Sequence, residues 1–191
     1  MTYKKERGMG MELKIPENFF VGAAMSGPQT EGAYKTGGRL ESIWDTWSDL
    51  SISDFYNKVG SYVGNNFYEK YEDDIKLLKS LHMDSFRTSM QWSRLLTKDG
   101  KLNQEGAQFY HKVCKCAKEN QIELFMNLYH FDMPTYLFER GGWESRDVVE
   151  AYAAYARAAF REFGSEIRYW FTFNEPIVEP DQRYRNGFWY P

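Results

Sequence analysis

Three apolar segments end in polar or polarisable residues at a regular interval, and that interval constrains the fold more than any other feature. Met90, His130 and Glu175 close these segments about 40 and 45 residues apart. The interval is long enough for a strand, a helix and two loops, and it predicts repeated βαβ units with right-handed crossovers. Strands are expected at 19–24, 84–90, 122–129 and 169–174. The third is nearly continuously apolar, as a parallel strand covered on both faces must be. Between the strands, apolar residues recur at helical spacing: Tyr68, Tyr71, Ile75, Leu78 and His82; Phe109, Val113 and Cys116 or Ala117; then Val148, Tyr152, Tyr155, Ala159 and Phe163. Asn103 and Ser145 stand where N-caps of the second and third helices belong.

A parallel sheet is either doubly wound or closed into a barrel. The first strand carries no G-x-G-x-x-G leading into a helix, which argues against a dinucleotide-binding crevice. Polar residues instead gather at the C-terminal strand ends: Gln29, Arg87 with Ser89, His130 with Asp132, and Asn174 with Glu175. In a (β/α)8 barrel that rim holds the active site. The expected fold class is therefore α/β, a (β/α)8 TIM barrel of which residues 16–191 supply the first four βα units, after an N-terminal extension at 1–15.

Charge and cysteine usage narrow the partners. With 24 basic and 27 acidic residues the net charge is −3, which gives no reason to expect a nucleic-acid or membrane partner. Cys114 and Cys116 lie two apart in an expected helix, on different faces, so neither a disulfide nor a metal site is expected from them. Two unpaired thiols fit a reducing compartment. The basic N-terminus is followed by no apolar segment of the secretory kind, and no stretch approaches a membrane span. A cytoplasmic protein is expected. His82, His111 and His130 show no metal-ligand spacing, and no cofactor is implied.

Glu175 is the leading candidate for chemistry. A carboxyl at a buried strand end, held protonated by an apolar surround, can protonate a leaving oxygen and then accept a proton from water. Phe131, Phe171 and Phe173 are candidates for that surround. The plainer alternative is a strand-end glutamate paired with Arg183 or Arg185. Asn174 would hydrogen-bond a sugar 2-hydroxyl, yet strict alternation puts it and Glu175 on opposite faces of the strand. Pro176 biases Glu175 toward extended geometry, so sharing one site requires a twist or bulge. His130 is either a site residue or a histidine satisfied by a neighbouring carboxylate. Arg87, if buried, needs a carboxylate partner. Gln29 and Glu31 are hydroxyl-binding groups or simply polar loop residues. The aromatic content, 18%, fits either a bulky core or stacking platforms for sugar rings.

Taken together, the segments resemble glycoside hydrolase family 1. The resemblance runs through Phe20-Val21-Gly22-Ala23-Ala24, Gln29-Thr30-Glu31-Gly32, Ser42-Ile43-Trp44-Asp45-Thr46 and Tyr71-x-x-Asp74-Ile75. It continues in Phe86-Arg87-Thr88-Ser89 with Trp92-Ser93-Arg94, Leu128 to Pro134, Gly141-Gly142-Trp143, and Tyr169 to Pro176. The resemblance implies that Glu175 is the acid/base of a retaining β-glycosidase, that Gln29, His130 and Asn174 hold the sugar, and that Arg87 supports the nucleophile. Phe131 stands where the family more often has Trp. The 6-phospho-β-glucosidase branch is the most similar, with plain β-glucosidase and 6-phospho-β-galactosidase as alternatives.

Only fifteen residues follow Pro176. The family's nucleophile carboxylate belongs to a later strand, so no nucleophile is expected within the chain. These residues alone are expected to be inactive, and to self-associate through unpaired sheet edges. A non-catalytic sugar-binding half-barrel and a different retaining (β/α)8 family are the competing readings.

Overall fold

The structure is a computed structural model describing residues 16–50 and 55–190. The expected extension at 1–15 lies outside the described residues. Four parallel strands form one sheet: β1 Gly22–Ala24, β2 Ser85–Ser89, β3 Glu123–Tyr129 and β4 Tyr169–Phe173. Their spatial order is β1-β2-β3-β4, the order of the chain. A doubly wound sheet reverses its order at a switch point. An unreversed sheet is the open arc of a barrel.

In chain order, the helices are α1 Gly27–Thr30, α2 Ile43–Asp49, α3 Phe67–Ser80, α4 Trp92–Leu95, α5 Gln104–Glu119, α6 Thr135–Phe138 and α7 Arg146–Phe163. The apolar stripe of α7 is buried as its spacing dictates, at Val148, Tyr152, Tyr155, Ala159 and Phe163. Helix α5 buries Phe109, Val113, Cys116 and Ala117, and Cys114 as well. In α3 the stripe breaks at its end. Ile75 is buried, but His82 lies beyond the helix with φ of 59°, exposed, where the chain turns toward β2.

These helices cover one face of the sheet, where Phe86, Leu124, Met126 and Leu128 are buried. The other face is covered only near the rim, where Ser89, Asn127 and Tyr129 are buried, while Phe171 and Phe173 are exposed among the described residues. There Phe125 stacks on Tyr169 at 4.6 Å, and Phe20 meets Phe125 edge-on at 5.3 Å. The first strand is accordingly shorter than expected: Phe19, Phe20 and Val21 are 58%, 42% and 42% exposed. Val21 still accepts the Asp84 N–H at 2.9 Å, but the paired residues are Gly22–Ala24 alone.

Caps also differ from expectation. Asn103 and Ser145 occupy the N-cap positions, but neither side chain caps its helix. The Asn103 amide instead donates to the carbonyls of Gly37 (2.6 Å) and Arg94 (2.9 Å), tying a loop to α4. A capping box does form at α2, between Ser42 and Asp45.

Helix α7 fixes the C-terminal strand ends. The Tyr155 hydroxyl lies 2.9 Å from the carbonyls of both Met90 and Leu128, and Tyr152 donates to Thr172 at 2.6 Å. Two tyrosines one turn apart thus bind β2, β3 and β4 at the rim where the polar residues emerge.

Candidate active site

The rim surrounds a cavity of about 500 Å³ lined by Gln29, Trp44, His130, Phe131, Glu175 and Trp189, among others. Three of the predicted site residues meet there, each from a different strand end. Gln29 leaves the β1 end on α1. The Gly27 N–H donates to Ser89 Oγ at 2.8 Å, anchoring α1 to the β2 end, and Ser26 Oγ donates to Gln29 Oε1 at 2.5 Å. With its oxygen engaged, the Gln29 amide has its NH₂ left for another partner. Gly32, at φ of 63°, has backbone against the Val63 carbonyl where a Cβ would sit at 1.9 Å. Only glycine permits that approach, which brings the 59–64 loop up as the far wall of the cavity.

Asn174 and Glu175 reach the rim together because the backbone departs from strand geometry. Glu175 has φ of 39°, a left-handed value rare for a non-glycine residue. The expectation of extended geometry at Glu175 is therefore overturned. The ladder's last bond, Asn174 N–H to the Tyr129 carbonyl at 2.9 Å, holds the chain up to that point, and the backbone turns at Glu175. Steric bias from Pro176 loses to the packing that follows it: the 176–190 segment folds back on the rim, with Glu179 buried against Tyr129 and Trp143.

This turn builds a directional chain. Arg87 Nη2 donates to Asn174 Oδ1 at 2.8 Å, so the Asn174 NH₂ faces Glu175 Oε2, at 3.5 Å. Arg87 is half-buried, which lowers its pKa, while the charge on Glu175 acts the other way. Among the described residues Arg87 thus bonds an amide, with the Glu175 carboxylate one residue further along. Asn174 itself lines a neighbouring cavity of about 270 Å³ with Tyr129, Trp143 and Phe173.

The ion-pair alternative for Glu175 does not hold. Arg183 pairs with Glu179, and Arg185 with Asp181, both at 3.1 Å. The expected aromatic surround is also different. Glu175 is exposed at the cavity wall. Of the three phenylalanines only Phe131 lines that cavity, joined by Trp44 and Trp189. Phe171 lies instead beside the Arg87 guanidinium, 5.7 Å away.

His130 is not satisfied by a carboxylate at its ring. Asp132 accepts two backbone N–H groups, from His130 at 3.1 Å and from Trp92 at 3.0 Å. Burial pushes the Asp132 carboxyl up to about 7 despite those bonds. Burial, with a smaller push from Arg87, brings His130 down to about 4, so the ring is neutral at ordinary pH.

Glu31 is structural. Its carboxylate meets Arg94 (2.7 Å), Gln91 (2.7 Å) and Tyr110 (2.8 Å), all buried. Arg39 extends this network by donating to Gln91 (3.0 Å) and Asp45 (2.7 Å). Glu31 and Arg94 each stand in a segment that carries the family resemblance, but nothing in the sequence announces that they pair. Trp189, far along the chain from the strand ends, gave no sequence signal.

A sequence model described as Glycosyl hydrolase family 1 matches residues 11–191. The chain belongs to glycosyl hydrolase family 1. It is 42% identical over 94% of its length to 6-phospho-beta-glucosidase GmuD of Bacillus subtilis (strain 168), of which it spans 39%. It is 39% identical over 91% of its length to beta-glucosidase 9 of Arabidopsis thaliana, spanning 34% of that protein. The family 1 β-glucosidase from Exiguobacterium antarcticum B7 superposes with a TM-score of 0.88 at 36% identity, covering 92% of this chain and 39% of that one. The family 1 β-glucosidase of Thermotoga maritima does so at 0.84 and 33% identity, covering 88% of this chain and 38% of that one. The fold is the family's (β/α)8 barrel, and the four strands seen here are its N-terminal portion.

Proposed function

We propose that this family 1 chain carries the acid/base half of a retaining β-glycosidase acting on 6-phospho-β-glucosides. The observation that carries the reading is Glu175 at the cavity wall with Gln29 and His130, backed by Asn174 and Arg87. In this scheme Glu175 gives its proton to the leaving oxygen as the glycosidic bond breaks. It then takes a proton from the water that resolves the glycosyl-enzyme. Gln29, His130 and Asn174 hold the sugar hydroxyls, and Arg87 sits beside the nucleophile's place.

The phosphorylated substrate is favoured by the 42% identity to a protein named as a 6-phospho-beta-glucosidase. Covalent chemistry is supported by a mutant of a rice β-glucosidase in a covalent complex with Glc, 35% identical to this chain. Retention needs a second carboxyl about 5 Å from the first. Among the described residues Glu175 is the sole carboxyl lining the cavity. We therefore assign the nucleophile to a segment outside these 191 residues. On their own they are inactive, and they associate through the unpaired edges of the sheet. A reducing, cytoplasmic setting fits the free thiols Cys114 and Cys116.

The test compares a chromogenic 6-phospho-β-glucoside with its unphosphorylated counterpart. These residues are joined to the C-terminal part of a family 1 barrel, with and without Glu175→Gln. Turnover of the phosphorylated substrate, falling about 10²- to 10⁴-fold in the variant, is expected. Equal turnover of both substrates removes the phosphate assignment, and an unaffected variant removes the role of Glu175. Monomeric elution of the isolated 191 residues with cooperative melting would refute the association.

A further inference from the structure

Asn127 is a residue that neither motif nor spacing singles out. It sits inside β3 with no exposed surface, two positions before the strand's last residue. Its side-chain nitrogen lies 3.0 Å from the Tyr129 carbonyl and 3.5 Å from His130 Nδ1. Its Oδ1 has no hydrogen-bond partner among the described residues.

The orientation of this amide is set by chemistry. A carbonyl can only accept, so the atom facing Tyr129 O must be the NH₂. Turning the amide over would oppose two oxygens at 3.0 Å. The same carbonyl also accepts the Asn174 N–H at 2.9 Å, filling both of its lone pairs and locking its position. An NH₂ has two hydrogens. With one committed to Tyr129, the other faces His130 Nδ1, which can meet it only as an acceptor. The imidazole proton then belongs on Nε2.

We propose that Asn127 is a positioning residue that fixes His130 in the Nε2–H tautomer, presenting a hydrogen-bond donor to a hydroxyl oxygen in the cavity. The proposal deepens the glycosidase reading and rests on it only for the identity of that hydroxyl as a sugar's. One buried amide thereby ties two strand ends together: it orients the ring emerging from β3 and, through the Tyr129 carbonyl, shares its anchor with the backbone of Asn174 on β4. The fully buried Asp132, which holds the His130 backbone N–H, and Arg87, which repels a charged imidazole, both leave the neutral ring in place. Neither of them dictates which nitrogen carries the proton.

The test is long-range ¹H–¹⁵N correlation on the chain labelled at histidine, near neutral pH and without any sugar. A His130→Gln sample identifies the ring's signals against those of His82 and His111. The parent is expected to show an unprotonated Nδ1 and a protonated Nε2 at His130. Asn127→Asp replaces the donor with an acceptor, so Nδ1 should gain a proton while His111 is unmoved. If the aspartate variant does not fold, Asn127→Leu should let both tautomers populate and shift the His130 nitrogens toward each other. A protonated Nδ1 in the parent overturns the proposal outright, with no variant needed. So does an aspartate or leucine variant that keeps the parent's tautomer. Because no sugar is present, failure here leaves the assignment of Glu175 intact, and loss of activity assignments leaves this result intact.

Discussion

Replacing Glu31 by Gln is the sharpest probe of what holds the rim in shape. The ion pair with Arg94 is 2.7 Å long, and the two side chains are 2% and 0% exposed. Arg94 has further acceptors in the carbonyls of Gly32 (3.1 Å) and Thr36 (3.2 Å), but among the described residues no second carboxylate bonds it. Glu31→Gln preserves shape and deletes the charge. It leaves a guanidinium buried without its counterion, and it sets an NH₂ against the donors Arg94 Nε, Gln91 Nε2 or Tyr110 OH. Breaking one side of such a pair costs about 3–5 kcal/mol. That is a large share of the roughly 5–15 kcal/mol by which a domain is stable. With a urea m-value of about 2 kcal/mol per molar, the unfolding midpoint should fall by about 1.5–2.5 M. Tryptophan fluorescence in urea, at one protein concentration, reads this directly. Arg94→Met should cost a comparable amount, and Glu31→Gln with Arg94→Met should cost less than the sum of the two by at least about 1 kcal/mol, since the second change removes the orphaned charge. A midpoint shift under about 0.5 M for Glu31→Gln would show that water reaches this site and that the ion pair contributes little to the fold.

Two further outcomes follow from the geometry. Glu175→Gly should leave stability unchanged or raised by up to about 1 kcal/mol, because relief of about 1–2 kcal/mol of left-handed strain outweighs the extra chain entropy of glycine; a loss above about 1 kcal/mol in the same urea assay would show that the backbone there is unstrained. His111, bridging Glu162 (2.9 Å) and Glu166 (2.6 Å) between α5 and α7, is lowered by burial but raised more by those two carboxylates. Its folded pKa lies above the unfolded value, so its contribution is complete below about pH 6.5 and is lost as pH rises through the folded value. The pair is about a third exposed, so the effect stays below about 1 kcal/mol; a midpoint difference between parent and His111→Gln that grows toward alkaline pH would contradict this sign.

The parts of the fold that were legible in the sequence are those whose cause is local or periodic. The α7 stripe from Val148 to Phe163 is read directly because one face of one helix meets one sheet, and periodicity alone states which face. The same logic failed at His82, where the helix had already ended and a positive φ turned the chain. It failed for Phe19 to Val21 because apolar sequence implies burial only if something lies on the other side. The gathering of Gln29, His130 and Glu175 at one rim was legible for the same reason as the stripe: a parallel sheet of this topology delivers its C-terminal ends to one side. Illegible were the partners. Nothing in the spacing of Arg87 and Asn174 announces a 2.8 Å bond between residues 87 apart, and the buried roles of Glu31 and Asn127 depend on three-dimensional neighbours.

Glu175 shows why a site resists local rules. Strand alternation, the preference of a residue before proline and the cost of a left-handed glutamate all argue against the conformation it adopts. They are outvoted by the bonds on either side: Asn174 N–H to Tyr129, Arg87 to the Asn174 amide, and the burial of Glu179 four residues on. Each of those groups belongs to a different element, so the strain at one residue is spread over β2, β3 and the returning tail. An extended Glu175 would keep its carboxyl on the opposite face from Asn174, and no single chain of donors could then run from Arg87 to the acid. Conformational strain is the means by which two consecutive residues at a strand end come to line two adjoining cavities of one rim. Backbone strain of this kind gathers at functional sites, which is the physical reason to test Glu175 before any other residue of the rim.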